Sequence, residues 1–208
     1  KGKLRALLED KNAIINILEI NIKNKSYSNE AGERFALAYA YLRNNMIIKA
    51  KSELEYLKKK KLVNPMLLNL EAIILIQENK KKEATKLYKK GLSMFPSHRA
   101  LVYGLAEHYI RLSKTTIAIN LLHDYLLIFP EDPILYELMA KAQAGEGKIL
   151  LQYESLAEAF YYRYNIREAI SLLGLAASAK DGNFYEKSRV ESRLKELKSE
   201  WKLFKQGL

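Results

Sequence analysis

"LEAIILIQENKKKEATKLYKKGLSMFP", residues 70–96, and "LAEHYIRLSKTTIAINLLHDYLLIFP", residues 105–130, decide the fold of this chain. Identical residues recur between the two stretches at a constant spacing of 34 positions. The pairs are Ala72 and Ala106, Ala84 and Ala118, Phe95 and Phe129, and Pro96 and Pro130. Several matches at one spacing indicate a repeat protein, in which each unit buries its apolar face against the next.

Each repeat is predicted to contain two amphipathic helices. The apolar residues of one first helix recur at i, i+3, i+4 and i+7, which places them on one helical face: Val102, Leu105, Ala106 and Tyr109. Alanine is expected where two antiparallel helices cross closely, because a larger side chain would separate them. Pro96 and Pro130 are expected just after second helices, since proline cannot continue a helix.

The repeat frame divides the chain into three parts. We predict a leading helix in residues 1–30 that links to an upstream domain absent here, repeats over 31–183, and a C-terminal capping helix over 184–208. The predicted repeats are 31–64, 65–98, 99–132, a partial repeat 133–149, and a repeat 150–183 in a new register. The predicted fold class is therefore all-α, an α-solenoid of helix hairpins with flanking and capping helices.

Composition narrows the possible chemistry. The chain has 208 residues, no cysteine and only 4 prolines, which fits a helical protein and excludes a disulfide scaffold or a thiolate metal site. No apolar run approaches the roughly 20 residues that a membrane-spanning helix needs. We therefore predict no transmembrane segment.

The net charge of +11 is unevenly distributed. It is +10 over residues 1–98, −2 over residues 99–183 and +3 over residues 184–208. Of the 35 basic residues 26 are lysines, whereas nucleic-acid readers favour arginine forks and stacking aromatics. A solvated lysine-rich surface is the preferred interpretation, and no nucleic-acid partner is predicted.

No catalytic or metal-binding motif is present. His98, His108 and His123 belong to no H-E-x-x-H and fall in different parts of the repeat frame. "GEGK" at residues 145–148 is interpreted as a helix–helix turn, because no strand precedes it. Glu154 and Glu158 are four residues apart on one helix and could bind an ion or a basic peptide, although a solvated face is more common. We predict no catalytic and no metal-ligating residue.

A concave groove is the candidate binding site. Tyr39 and Tyr103 fall at first-helix positions that line the inner surface of such a repeat array. The predicted groove mixes aromatic, amide and charged side chains: Phe35, Tyr39, Arg43, Asn69, Ile73, Gln77, Tyr103, Glu107 and Arg111. Aromatic anchors beside amide and guanidinium groups suit a peptide segment, and a merely solvated surface is the open alternative.

The 34-residue pattern resembles the tetratricopeptide repeat over residues 31–183. The C-terminal part is also similar to bacterial periplasmic zinc metallopeptidases of the β-barrel assembly-enhancing type. The similarity lies in "LAEA" at 156–159, "EAI" at 168–170, "DGNFY" at 181–185 and "SRVESRL" at 188–194. It implies an upstream H-E-x-x-H domain that holds the zinc, with no cofactor in this chain, and a periplasmic location.

The resemblance implies a non-catalytic interaction domain that packs on the protease. Its implied partners are substrates or the outer-membrane β-barrel assembly machinery. Two other hypotheses stay open from the residues alone: a stand-alone repeat adaptor that scaffolds a protein complex, and a helical-repeat RNA-binding module.

Overall fold

The structure is a computed structural model that describes residues 11–60 and 64–207. Within these residues it contains eleven helices and no strand, so the all-α prediction is confirmed. The helices are α1 (Lys11–Asn24), α2 (Glu30–Arg43), α3 (Ile47–Lys59), α4 (Pro65–Gln77), α5 (Lys81–Met94), α6 (Arg99–Arg111), α7 (Thr115–Ile128), α8 (Pro133–Gly145), α9 (Ile149–Tyr161), α10 (Ile166–Ala177) and α11 (Phe184–Lys205). The first ten residues of the predicted leading helix lie outside the described residues.

The chain divides into two compact units, Lys1–Leu101 and Val102–Leu208, with the boundary inside α6. In unit 1, α2 packs against α1 and α3, and α4 packs against α3 and α5. In unit 2, α8 packs against α7 and α9, and α10 packs against α9 and α11. In each unit, helices that follow one another in the sequence thus pack against one another.

The 34-residue period is visible in the backbone of the turns within the hairpins. Each of these turns contains one residue in the left-handed conformation, with φ between 56° and 71°: Asn45, Asn79, Ser113 and Gly147. The helix that follows each turn begins without a side-chain cap. Asparagine and glycine tolerate this conformation better than other residues do, which explains two of the three residue types in this series.

Three first helices of hairpins, α2, α4 and α8, begin differently, with a capping side chain that accepts a hydrogen bond from a backbone N–H. The Asn29 side chain accepts from the backbone N–H of Gly32 at the start of α2. Asn64 and Asp132 do the same for α4 and α8, each directly before a proline at the first helical position. Local sequence therefore sets where each of these hairpins begins.

The core of each unit is lined by small residues at the helix contacts. Ala38, Ala50 and Ala84 in unit 1 and Ala118 and Ala169 in unit 2 are fully inaccessible to solvent. Helices α5 and α7 end two residues before Pro96 and Pro130, as predicted. Close helix packing through alanine and helix termination before proline are both confirmed.

The predicted division into repeats stays a prediction. Helix α9 packs against both α8 and α10, which is compatible with the predicted start of a new repeat register at residue 150. Second helices begin at Ile47, Lys81, Thr115 and Ile149, and α11 begins 35 residues later at Phe184. This spacing is equally compatible with one frame that continues to the end of the chain.

Candidate functional site

Asn69 on α4 links two tyrosines of unit 1. The Tyr88 hydroxyl donates to Asn69 Oδ1 at 3.3 Å, and Asn69 Nδ2 donates to the Tyr39 hydroxyl at 2.8 Å. Tyr88 and Asn69 are buried, so the orientation of the amide is fixed by hydrogen bonds inside the protein. Because the Tyr39 oxygen accepts from Asn69, its own O–H can donate to a ligand, and the described residues offer it no acceptor.

The surroundings of Tyr39 place apolar side chains next to its hydroxyl, which can donate a hydrogen bond. The rings of Phe35 and Tyr39 lie 5.0 Å apart, tilted by 57°. Phe35, Tyr39 and Ile73 are half-buried and pack against the core of unit 1. Burial raises the pKa of the Tyr39 hydroxyl, and the hydrogen bond from Asn69 opposes that rise. The hydroxyl is therefore protonated at neutral pH and able to donate.

The other two groove residues of unit 1 are exposed. Gln77 Nε2, at the end of α4, lies 3.4 Å from the backbone carbonyl oxygen of Leu42. Arg43 is the last residue of α2 and is exposed. Of the predicted groove residues, the structure thus brings Phe35 and Asn69 each into contact with Tyr39.

The groove residues of unit 2 lie on α6. The Tyr103 hydroxyl donates to Asp132 Oδ2, and Asp132 Oδ1 accepts from the backbone N–H of Ile134 at the start of α8. Arg111 and Glu107 form an ion pair at 3.0 Å within α6. Replacing Tyr103 by alanine would therefore disturb the cap of α8 as well as the surface. The complete groove combines residues of both units and stays a prediction.

The carboxylates of Glu154 and Glu158 on α9 bind two arginines of α11. Arg189 makes two hydrogen bonds of 2.6 Å to Glu154, and Arg193 makes bonds of 2.8 and 3.0 Å to Glu158. The Arg193 guanidinium also lies 4.5 Å from the centre of the Tyr161 ring. The glutamate pair of the sequence is thus occupied by a basic helix of the same unit.

A cavity of about 710 Å3 lies in unit 2, between the α7–α8 turn, the α9–α10 turn and the end of α11. We call it the aromatic corner, and its lining residues are Glu131, Tyr161, Tyr162, Tyr164, Asn165, Ile166, Arg167, Glu200, Trp201 and Phe204. The Trp201 and Phe204 rings stack at 5.4 Å. Arg167 and Lys205 lie 5.7 and 5.4 Å from the centre of the Trp201 ring.

The repeat pattern does not predict the aromatic corner. It places Trp201 and Phe204 in the buried stripe of the capping helix, and Val190 and Leu197 of that stripe are indeed fully buried. Phe204 is 70% exposed, so the stripe is left uncovered at its C-terminal end. The available signal is "FYYRY" at residues 160–164 together with the single tryptophan of the chain.

The histidines lie apart in the fold. His98 precedes α6, His108 is buried on α6, and His123 is exposed on α7. Across residues 11–60 and 64–207 no group of three His, Asp or Glu side chains could hold a metal ion. "GEGK" forms the turn between α8 and α9, with Gly147 in the left-handed conformation. No helix in the described part of the chain has the length and apolarity needed to cross a membrane.

Comparison with known proteins supports the same fold. The family model "Tetratricopeptide repeat" matches residues 75–142. A MamA fragment from Desulfovibrio magneticus RS-1 superposes with a TM-score of 0.53 at 17% identity, over 83% of this chain and 97% of the fragment. TTC0263, a thermophilic TPR protein of Thermus thermophilus, gives a TM-score of 0.52 at 17% identity, over 79% and 98% of the two chains. The fold is a tetratricopeptide-like solenoid.

One curated relative extends the comparison. The chain is 27% identical over 135 residues to the β-barrel assembly-enhancing protease of Yersinia pestis. The match covers 65% of this chain, which spans only 28% of the length of that relative. Tetratricopeptide domains are non-catalytic modules that bind protein or peptide partners, and this chain has their fold.

Proposed function

We propose that this chain is the interaction domain of a periplasmic zinc metalloprotease. In this role it recruits substrates or outer-membrane assembly partners and packs on the protease domain. The partial match to the assembly-enhancing protease supports the parent and the compartment. Zinc would be held by the upstream domain and not by this chain.

The observation that carries the binding role is the hydrogen-bond arrangement around Tyr39. Asn69 uses its amide N–H on Tyr39 and its carbonyl oxygen on Tyr88, so Tyr39 presents a donor. An extended segment lying on α2 and α4 could accept this hydrogen bond through a backbone carbonyl. Its apolar side chain would contact Phe35 and Ile73, which are half-buried beside Tyr39.

A stand-alone adaptor is the second candidate. The MamA fragment and TTC0263, which is itself a TPR protein, are covered to 97% and 98% by this chain. The structure of YrrB is described as that of a TPR protein with an unusual peptide-binding site, and it superposes with a TM-score of 0.53 at 13% identity. An adaptor of this kind would use the same donor at Tyr39.

The binding role is tested by Tyr39→Phe, which removes the hydroxyl and keeps the ring. The probe is a chemically unfolded outer-membrane β-barrel protein, diluted over the immobilised chain. One lost hydrogen bond of about 0.5–1.5 kcal/mol corresponds to retention weakened about 2- to 10-fold. Surface plasmon resonance measures that change.

Tyr27→Phe is the matched control, because it removes a hydroxyl in the α1–α2 turn of the same unit. It should bind as the unchanged protein does. Melting curves of both variants exclude a folding defect at the temperature of the measurement. Equal retention by the Tyr39→Phe and Tyr27→Phe variants would show that the partner does not use the Tyr39 donor.

A further inference from the structure

We propose that the aromatic corner of unit 2 is a second peptide-binding site, which selects a basic side chain flanked by aromatic or aliphatic side chains. The site shares no residue with the predicted groove, and its lining comes entirely from residues 131–204 of unit 2. The proposal therefore depends on the geometry of this unit and not on the protease parent.

Exposed rings are the first observation. Tyr164 is 97% exposed and Phe204 is 70% exposed, although both line a cavity of about 710 Å3. A cavity of this volume is within the range of sites that bind small molecules and can accommodate side chains of a peptide. Large aromatic side chains left bare beside a cavity are typical of a contact surface for a partner.

The backbone of Tyr164 is the second observation. Its φ is 60°, in the left-handed region that a bulky residue rarely adopts. The turns within the hairpins place Asn45, Asn79, Ser113 and Gly147 in this conformation. A tyrosine in a strained position, with its ring exposed to solvent at the rim of a cavity, indicates a role for the ring outside the fold.

The charges of the corner decide which peptide it prefers. Among the described residues Glu131, Arg167 and Glu200 form no ion pair, whereas the neighbouring Arg163 and Arg193 are paired with glutamates. Two carboxylates against one guanidinium leave the cavity lining net negative, while Lys205 lies beside Trp201 outside that lining. A carboxylate ligand would meet two like charges and one opposite charge within the lining.

A lysine or arginine side chain matches this lining. Its aliphatic stem can lie along aromatic rings while its charged end stays near carboxylates. The Trp201 ring already has Arg167 and Lys205 of the chain within 6 Å, which shows that its electrostatics suit cations. Flanking aromatic or aliphatic side chains of the peptide would cover Tyr164 and Phe204.

Trp201 provides a direct readout, because it is the only tryptophan of the chain. The probes are three short capped peptides with Gly and Ser flanks and a Phe–Lys–Phe, Phe–Glu–Phe or Ser–Lys–Ser centre. Trp201 emission is followed during titration, with excitation that selects tryptophan. We expect saturable binding of the Phe–Lys–Phe peptide, about 10-fold tighter than that of either other peptide.

Variants test the sign of the charge effect. Glu131→Gln combined with Glu200→Gln should weaken the Phe–Lys–Phe peptide about 10-fold, and Arg167→Gln should not weaken it. Glu191→Gln removes one carboxylate charge from an exposed position of α11 outside the corner and should have no effect. Tyr39→Phe should also have no effect, which separates this site from the proposed groove.

The proposal is overturned by any of three results. Equal or tighter binding of the Phe–Glu–Phe peptide would contradict the charge selection. Binding of the Ser–Lys–Ser peptide as tight as that of the Phe–Lys–Phe peptide would show that the flanking aromatic side chains do not contribute to binding. A Trp201 emission that does not change saturably with any of the peptides would show that the aromatic corner takes no such ligand.

Discussion

Ala38 and Ala36 lie two positions apart on α2 and face opposite environments. Ala38 is completely buried, whereas Ala36 is exposed. The sequence distinguishes them, because Ala38 lies 34 positions before Ala72, and Ala72 lies 34 positions before Ala106. A recurrent small residue indicates a contact that has no room for a larger side chain.

We expect Ala38→Leu to lower the free energy of unfolding by about 1–3 kcal/mol, because the added atoms overpack the core of unit 1. Ala36→Leu is the control on the same helix and should change stability by less than about 0.5 kcal/mol. Urea unfolding followed by circular dichroism measures both. Similar values for the two variants would mean that Ala38 is not at a close helix contact.

Polar contacts at the same scale cannot be predicted in this way. Tyr39 and Asn69 are both predicted groove residues, but their hydrogen bond joins two helices that are consecutive first helices of different hairpins. The contact of Asp132 with Tyr103 is equally hard to predict, since Asp132 is typical of an N-cap and Tyr103 lies one hairpin earlier. A repeat frame predicts on which face of its helix a residue lies, but it does not predict the partner of that residue's hydrogen bond.

At the scale of elements, α11 shows how far periodicity reaches. The stripe of Val190, Leu194, Leu197 and Trp201 correctly predicts a helix that covers a core, and the structure has α11 over Phe184–Lys205. Periodicity does not predict the two Arg–Glu pairs that join α11 to α9. Both partners are spaced four residues apart, 35 positions from each other, so the pattern is nevertheless present in the sequence.

The two arginines of α11 should contribute unequally. The Arg193 and Glu158 side chains are only 21% and 17% exposed, whereas Arg189 is 58% exposed. We expect Arg193→Lys to lower the free energy of unfolding by about 1–2 kcal/mol, since lysine cannot reproduce the two-bond fork to a half-buried carboxylate.

Arg189→Lys makes the same chemical change on the pair whose arginine is exposed. Its effect should stay below about 0.5 kcal/mol, because solvent screens the charge of the exposed Arg189 side chain. Thermal unfolding at low and high salt compares the two variants. A larger loss of unfolding free energy for Arg189→Lys than for Arg193→Lys would contradict the expectation that the Arg193–Glu158 pair contributes more to stability.

At the scale of the whole molecule, the net charge of +11 is interpreted from the ion pairs that its lysines form. Two stretches, residues 58–61 and 80–82, consist entirely of lysine. The first lysine of each is paired, Lys58 with Glu71 at 2.8 Å and Lys80 with Glu78 at 2.7 Å. These pairs favour a solvated surface over a continuous site for phosphates. Among the described residues, net charge is therefore the one feature that supports the hypothesis of a helical-repeat RNA-binding module.

The protease parent makes a prediction about the longer protein. The coding sequence that precedes Lys1 should contain an H-E-x-x-H helix, and the protein expressed from it should bind zinc that a chelator removes. Chain 1–208 alone should show an unchanged melting curve with the chelator. An upstream sequence without this motif would favour the stand-alone adaptor.

The left-handed turn residues described above have a consequence for how such a chain can change in length. Asn45, Asn79, Ser113 and Gly147 hold nearly the same backbone conformation at intervals of 34 residues. A duplication or loss of the segment between two of them would join equivalent backbone geometries, so that the first helix of one hairpin would be followed by the second helix of another across the same kind of turn. Recombination at these points can therefore alter the number of hairpins without the invention of a new connection.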